Sequence, residues 1–267
     1  MTESLTGINI LVTRPAHQAG DLAARIRIVG GNPVLFPVLK ILDAQDQRPL
    51  LDVARRLDEF DLAIFISPNA VNKAMGLIHT KRTLPPKLEV AAVGQGTARA
   101  LRNFGVNEVI APAIRFDSEA LLNMVELQHI GGKRVVVFRG DSGRELLGDS
   151  LLKRGATLEY VECYRRVKPS TDIAPLLRAL ATGKMNAITM TSSEGLRNLF
   201  DMVGQAGQIW LKRTPLFVSH ERIARTAGKL GLTQVILTTA GDEGLLQGLV
   251  NYFRPEASSM DSVSRKP

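Results

Sequence analysis

The sequence predicts an α/β protein of two similar parallel-sheet domains, joined by a two-stranded linker and holding a ligand cleft between them. Three observations carry this expectation. First, the chain repeats itself at an offset of 125 residues: Leu11-Val12-Thr13-Arg14 returns as Val136-Val137-Phe138-Arg139, Phe65-Ile66-Ser67-Pro68 as Met190-Thr191-Ser192-Ser193, and Val93-Gly94 as Val218-Ser219. A period of that length is too long for a solenoid unit and suits a domain. Second, short apolar runs alternate with amphipathic stretches through both halves, the pattern of parallel sheets covered by helices on both faces. Third, residues 37–42 and 162–167 hold equivalent places in the repeat, look extended, and lead into no helix. Two such segments pair naturally as a connection between domains, and ligands favour the boundary between domains.

Taken in order, residues 8–13 form an apolar run, residues 16–29 are amphipathic, Gly30-Gly31 breaks the helix, and residues 34–36 return as a strand. This is a βαβ unit. It recurs as a strand over residues 135–138, a helix over 145–154, the breaker Gly155, and a strand over 157–161. Further strands are expected at residues 62–66 and 187–190, 89–93 and 216–218, and 108–110 and 235–237. Ser118-Glu119 and Asp242-Glu243, 124 residues apart, are expected to open the last helix of each half. The tail, residues 254–267, is rich in Ser, Pro and charge and is expected to be disordered.

Composition narrows the function. The chain has 267 residues, 45% of them hydrophobic and 22% charged, as in a globular protein of two ordinary domains. No apolar run approaches the roughly 20 residues needed to span a bilayer, so no membrane role is expected. The first seven residues lack a basic-then-apolar signal pattern, and the one cysteine, Cys163, fits a reducing compartment. The cytoplasm is the expected location. A net charge of +8 favours an anionic partner, but only 5% of residues are aromatic, leaving little on which bases could stack. Nucleic acid is therefore not expected.

The usual covalent and cofactor machinery is missing from the sequence. Gly94-Gln95-Gly96 follows a strand and opens a helix, yet the third fingerprint position is Arg99 and no acidic residue closes the next strand. The histidines His17, His79, His129 and His220 have no ligand spacing, so no metal is expected. Cys163 sits among strand-like residues and reads as a packed thiol. What remains is a set of strand-to-helix loops rich in small polar residues: Thr13-Arg14, Ser67-Pro68-Asn69, Gln95-Gly96-Thr97, the stretch Arg139-Gly140-Asp141-Ser142-Gly143-Arg144, Thr191-Ser192-Ser193 and Ser219-His220. In parallel sheets these loops gather at the carboxyl ends of the strands, where ligands bind. Free N–H groups at helix starts attract anions. One such loop is ordinary helix capping. Six in two halves, with surplus arginine, point to a polyanion site. Arg14, Ser67, Thr97, Arg139, Arg144, Ser192, Ser193 and Ser219 are its candidate binding residues.

Val12-Thr13-Arg14-Pro15, Phe65-Ile66-Ser67-Pro68-Asn69-Ala70-Val71, Val93-Gly94-Gln95-Gly96-Thr97-Ala98, Phe116-Asp117-Ser118-Glu119, Arg139-Gly140 with Gly143-Arg144-Glu145, Tyr164-Arg165-Arg166 and Ser192-Ser193-Glu194-Gly195-Leu196 together resemble the uroporphyrinogen-III synthase family, over residues 7–253. The resemblance implies a first α/β domain of residues 1–37 and 168–253, a second of residues 42–162, and linker strands at 38–41 and 163–167. The structural domains would then cut across the sequence repeat. It implies a cyclising hydro-lyase of tetrapyrrole (haem-type) biosynthesis that needs no cofactor. Its substrate would be hydroxymethylbilane, an anionic linear tetrapyrrole with eight carboxylates, closed to uroporphyrinogen III with the last pyrrole ring inverted. The family's hydroxyl positions carry over onto Ser67, Thr97 and Ser193, and its cleft tyrosine onto Tyr164, the candidate catalytic residue. Ser219-His220-Glu221-Arg222 departs from the family's pattern. A monomer is expected, with at most transient contact with the upstream enzyme that makes the substrate. The competing reading is a non-catalytic two-domain binding protein for a polyanionic small molecule.

Overall fold

The protein is described by a computed structural model over residues 4–114, 117–142 and 145–254. The chain divides into two units, Met1–Lys40 with Lys168–Pro267, and Ile41–Val167. The first unit opens with β1 (Asn9–Val12), α1 (Ala16–Ile28) and β2 (Asn32–Leu35). The chain then builds the whole second unit. It begins with β3 (Lys40–Asp43), α2 (Arg48–Arg55), a short 3-10 turn (Leu57–Glu59), β4 (Leu62–Phe65), α3 (Pro68–Ile78), β5 (Glu89–Ala92) and α4 (Gln95–Asn103). It continues through α5 (Ser118–Leu122), α6 (Val125–Gln128), β6 (Arg134–Gly140), α7 (Leu146–Lys153) and β7 (Thr157–Val167). The return completes the first unit with α8 (Ala174–Ala181), β8 (Ala187–Met190), α9 (Ser193–Met202), α10 (Gly204–Leu211), β9 (Leu216–Val218), α11 (Glu221–Lys229), β10 (Val235–Leu237) and α12 (Gly241–Phe253).

The repeat is visible in local chemistry. Gly30 and Gly155 end α1 and α7 at φ +85 and +86, a conformation that only glycine adopts cheaply. The next residues close the same six-residue turn, Gly31 N–H donating to Ile26 O at 3.0 Å and Ala156 N–H to Leu151 O at 3.1 Å. Ser67 and Ser192 cap α3 and α9 alike, each Oγ accepting from a backbone N–H three residues on at 3.1 Å.

The strand order is β10-β9-β8-β1-β2 in the first unit and β3-β7-β6-β4-β5 in the second. Where the register of neighbouring strands is defined it is parallel throughout, so the α/β class with parallel sheets holds. Each sheet is packed on both faces, and successive residues sort between them. On β4, Ala63 and Phe65 join one core while Leu62 and Ile64 join the other. On β1, Leu11 faces one way and Ile10 and Val12 the other. β1 pairs with β8 and β6 with β4, so each opening βα element sits in the sheet of the other half's repeat.

Three expectations need correction. Residues 108–110 form no strand of their own: Ile110 makes a single parallel bridge to Ala91, because Pro112 lacks the N–H that a longer ladder needs. Residues 157–161 and 162–167 are not separate segments but one eleven-residue strand, β7, because β6 runs on to Gly140 and keeps offering partners. In the other extended segment only residues from Lys40 onward are strand, after Pro37, and this β3 lies beside β7 at the sheet edge. The expected disordered tail beyond Arg254 lies outside the described residues.

Candidate functional site

In open parallel sheets a ligand crevice forms where strand order reverses, at the carboxyl ends of the strands. In the first unit the reversal falls between β1 and β8, and the second unit has the equivalent pair β6 and β4. The loops leaving these four strands carry Thr13-Arg14, Thr191-Ser192-Ser193, Arg139-Gly140-Asp141 and Ser67-Pro68. Topology thus selects, from the six polar loops of the sequence, the four best placed for a ligand.

In the first unit, β1 and β8 are locked together at this point by reciprocal hydroxyl bonds. Thr13 Oγ1 donates to Thr189 O at 2.7 Å, and Thr189 Oγ1 donates to Leu11 O at 3.0 Å. Both threonines are buried. Arg14, next along, is held by Asp242 at 2.5 Å, with both side chains about four-fifths buried. Asp242 lies in the first turn of α12, where the helix dipole favours a carboxylate. Ser192 caps α9, the half-buried Ser193 reaches Arg222 O at 3.5 Å, and Ser219 is half-buried after β9. His220 caps α11, its Nδ1 accepting from Arg222 N–H at 3.0 Å.

The second unit is more elaborate. Arg139, at the end of β6, meets Glu145 at 3.3 Å and stacks on the Tyr160 ring, its guanidinium carbon 4.8 Å from the ring centroid. Its Nε is buried without a hydrogen-bond partner, an unmet donor. Burial raises the Tyr160 pKa, with the Glu145 charge adding to it. Thr97 is 5% exposed in the first turn of α4. Arg144 lies outside the described residues.

Tyr164 owes its position to an irregularity. Along β6 and β7, Phe138 pairs with Val161 and Arg139 with Glu162, but Gly140 pairs with Tyr164. Cys163 is the extra residue of a β-bulge, and bulges re-aim the side chains that follow. Strict alternation puts residue 164 on the face of the exposed Glu162. The bulge turns it instead into the core shared by Phe138, Val161 and Ala70, where it is 1% exposed. There its hydroxyl lies 3.0 Å from Ser67 Oγ and receives Arg166 Nη2 at 3.2 Å. Gly140 makes the space: a Cβ there would stand 2.7 Å from the Tyr164 ring. Arg166 is itself held by Ser142, Nη1 donating to Oγ at 3.2 Å, and its backbone N–H donates to Asp141 at 3.2 Å.

The structure thus brings Ser67 and Tyr164 together and leaves Arg14, Ser192 and Ser193 in the other unit. The sequence reading missed Arg166 as a site residue, Gly140 as the space beneath a ring, and the Thr13–Thr189 lock. Only the adjacency Tyr164-Arg165-Arg166 hinted at the first.

These features define an α/β protein of two three-layer units, each with hydroxyl and arginine side chains at the switch point of its sheet. The family model described as uroporphyrinogen-III synthase HemD matches residues 20–247. Uroporphyrinogen-III synthase of Escherichia coli K12 is 34% identical over 245 residues, 91% of this chain and 100% of that protein. The Salmonella typhimurium enzyme matches to the same extent. Among solved structures, a mutant uroporphyrinogen III synthase of Thermus thermophilus superposes with a TM-score of 0.63 at 20% identity, covering 91% of this chain and 98% of that one. The chain belongs to the uroporphyrinogen-III synthase family and is an enzyme.

Proposed function

We propose that the protein is a cyclising hydro-lyase that converts hydroxymethylbilane to uroporphyrinogen III. The observation that carries this reading is the family match across residues 20–247. The two rows of strand-end loops, read against a net charge of +8, give it chemical sense. In this reading the substrate carboxylates are held by Arg14, Arg139 and Arg144, by Thr97, Ser192, Ser193 and Ser219, and by backbone N–H groups at helix starts. Asp242 and Glu145 hold Arg14 and Arg139 until a substrate carboxylate takes their place.

Chemistry begins with loss of the terminal hydroxyl. The C–O bond breaks with its electron pair on oxygen, which leaves as water after receiving a proton. The Ser67–Tyr164 hydroxyl pair supplies the donor, and Tyr164 is its acidic member. The electrophilic carbon left behind bonds to the substituted α-carbon of the last ring, giving a spiro intermediate. The bond from that α-carbon to the neighbouring bridge carbon then breaks, and the bridge carbon rebonds to the ring's free α-carbon, which inverts the ring. The donated proton is recovered when the last ring's formerly free α-carbon loses its hydrogen, so the net change is one water lost and one ring closed. Holding the chain folded end over end supplies much of the acceleration. The single cysteine supports a reducing compartment, and we place the enzyme in the cytoplasm. Among the described residues no helix is long and apolar enough to cross a membrane.

The test is incubation of the purified protein with hydroxymethylbilane and identification of the porphyrinogen formed. The inverted isomer is expected. If only the uninverted ring appears, at the rate of closure without protein, the enzymatic reading is wrong and the polyanion-binding one stands.

A further inference from the structure

The hydroxyl pair of the second unit has a direction, set by which groups around it can only donate. Ala70 N–H donates to Ser67 Oγ at 3.1 Å. Arg166 Nη2 donates to Tyr164 Oη at 3.2 Å, and a guanidinium has no acceptor. Between them stand two oxygens 3.0 Å apart, with one proton each and one link to share. In the first arrangement Ser67 donates to Tyr164, and the phenol's own proton points elsewhere. The phenol is 1% exposed within an apolar cluster that includes Phe65, Phe138, Val161 and Cys163, so that proton is left buried and unmet. In the second, Tyr164 donates to Ser67. The serine oxygen then accepts twice, from Ala70 N–H and from the phenol, and its own proton is free to point outward from a half-buried residue at the mouth of the loop. The buried phenol proton has a partner only in the second arrangement.

We propose that Ser67 is the hydroxyl that meets the departing oxygen, and that Tyr164 and Arg166 are positioning residues acting through it. This rests on the hydro-lyase reading above and changes which residue touches the substrate. A serine that accepts two hydrogen bonds is a stronger donor than an isolated one, since linked hydrogen bonds polarise one another. As the C–O bond breaks, the Ser67 proton passes to the leaving oxygen and the Tyr164 proton passes to Ser67. The negative charge comes to rest on the phenol oxygen, beside the Arg166 guanidinium. Return of a proton from the last ring's formerly free α-carbon, as that ring regains its aromaticity, resets the chain. The bulge at Cys163 and the missing side chain at Gly140 then have one purpose, to carry the phenol behind the serine rather than into the solvent.

The deciding experiment is a double-mutant cycle on turnover of hydroxymethylbilane, with Ser67→Gly, Tyr164→Phe and both together. Glycine is chosen because it caps a helix almost as well as serine, so α3 is retained. In the otherwise native protein, Tyr164→Phe is expected to lower kcat about tenfold or more, with KM within about twofold, as for loss of acid assistance. In the Ser67→Gly background the same substitution should change kcat by less than about twofold, because its route to the substrate is already gone. A tenfold loss in both backgrounds would show that Tyr164 touches the substrate directly and overturns the proposal. So would an unchanged kcat for Tyr164→Phe alone. A native protein that closes no ring removes the hydro-lyase reading itself, and that outcome is distinct from either.

Discussion

At the scale of residues, Cys163 has a role in shape and none in reactivity. It is the extra residue of the bulge, 2% exposed, its thiol donating to Val161 O at 3.4 Å. Burial pushes its pKa from 9.0 up to about 12. The folded protein therefore holds the thiol proton through a range where the unfolded chain has released it. The stability this represents is complete below pH 9 and is lost as pH rises from 9 towards 12, at about 1.4 kcal/mol per pH unit within that window. Cys163→Ala removes the slope. The difference in unfolding free energy between native protein and Cys163→Ala, followed by urea melts from pH 7 to 11, should be flat to about pH 9 and then shrink. A difference that stays constant to pH 11 would mean the thiol is not held neutral by burial. Its packing was legible from its strand-like neighbours. The bulge was not, because register depends on the partner strand, and only Gly140 on β6 shows where pairing skips a residue.

At the scale of elements, the repeat supplies its own control. Ser67 and Ser192 cap α3 and α9 with the same geometry, each bond 3.1 Å long. Both positions were legible, since a serine between an apolar strand and an amphipathic helix is a capping signal. What the sequence cannot say is that only Ser67 has a phenol behind it, because Tyr164 is 97 residues away along the chain. The two substitutions to alanine should therefore differ. Ser192→Ala removes a cap, worth about 1 kcal/mol. Ser67→Ala removes a cap and also strands the buried Tyr164 hydroxyl, adding about 1–3 kcal/mol. Denaturant melts of the two variants should place Ser67→Ala at least about 1 kcal/mol below Ser192→Ala; equal losses would mean that the phenol finds another partner at no cost.

At the scale of the whole molecule, the sequence shows which strands are alike but not which copy each one joins. β1 and β6 are 125 residues apart in register, and a swapped pairing gives the same sequence pattern as an unswapped one. Hydrophobic periodicity therefore located nearly every strand, while the exchange of opening elements came from the family resemblance alone. The exchange has a physical consequence. Among the described residues, the defined strand pairings and the four apolar clusters fall within one unit or the other: Leu50 to Tyr164 and Leu62 to Ala156 in the second, Leu11 to Leu232 and Leu5 to Leu249 in the first. The second unit is contiguous in the chain, with a five-stranded sheet and an apolar core on each face. A domain of that kind has what it needs to fold alone. A fragment of residues 40–167, beginning with β3, should unfold in urea in one cooperative step, with a slope in the range of about 1–3 kcal/mol per molar expected of a small domain. The first unit is interrupted, so residues 1–40 and 168–254 should require covalent joining across the gap before they do the same. A fragment 40–167 that melts without a sharp transition, or only when mixed with the remaining segments, would mean that the two-sided core of the second unit is insufficient and that the units fold as one.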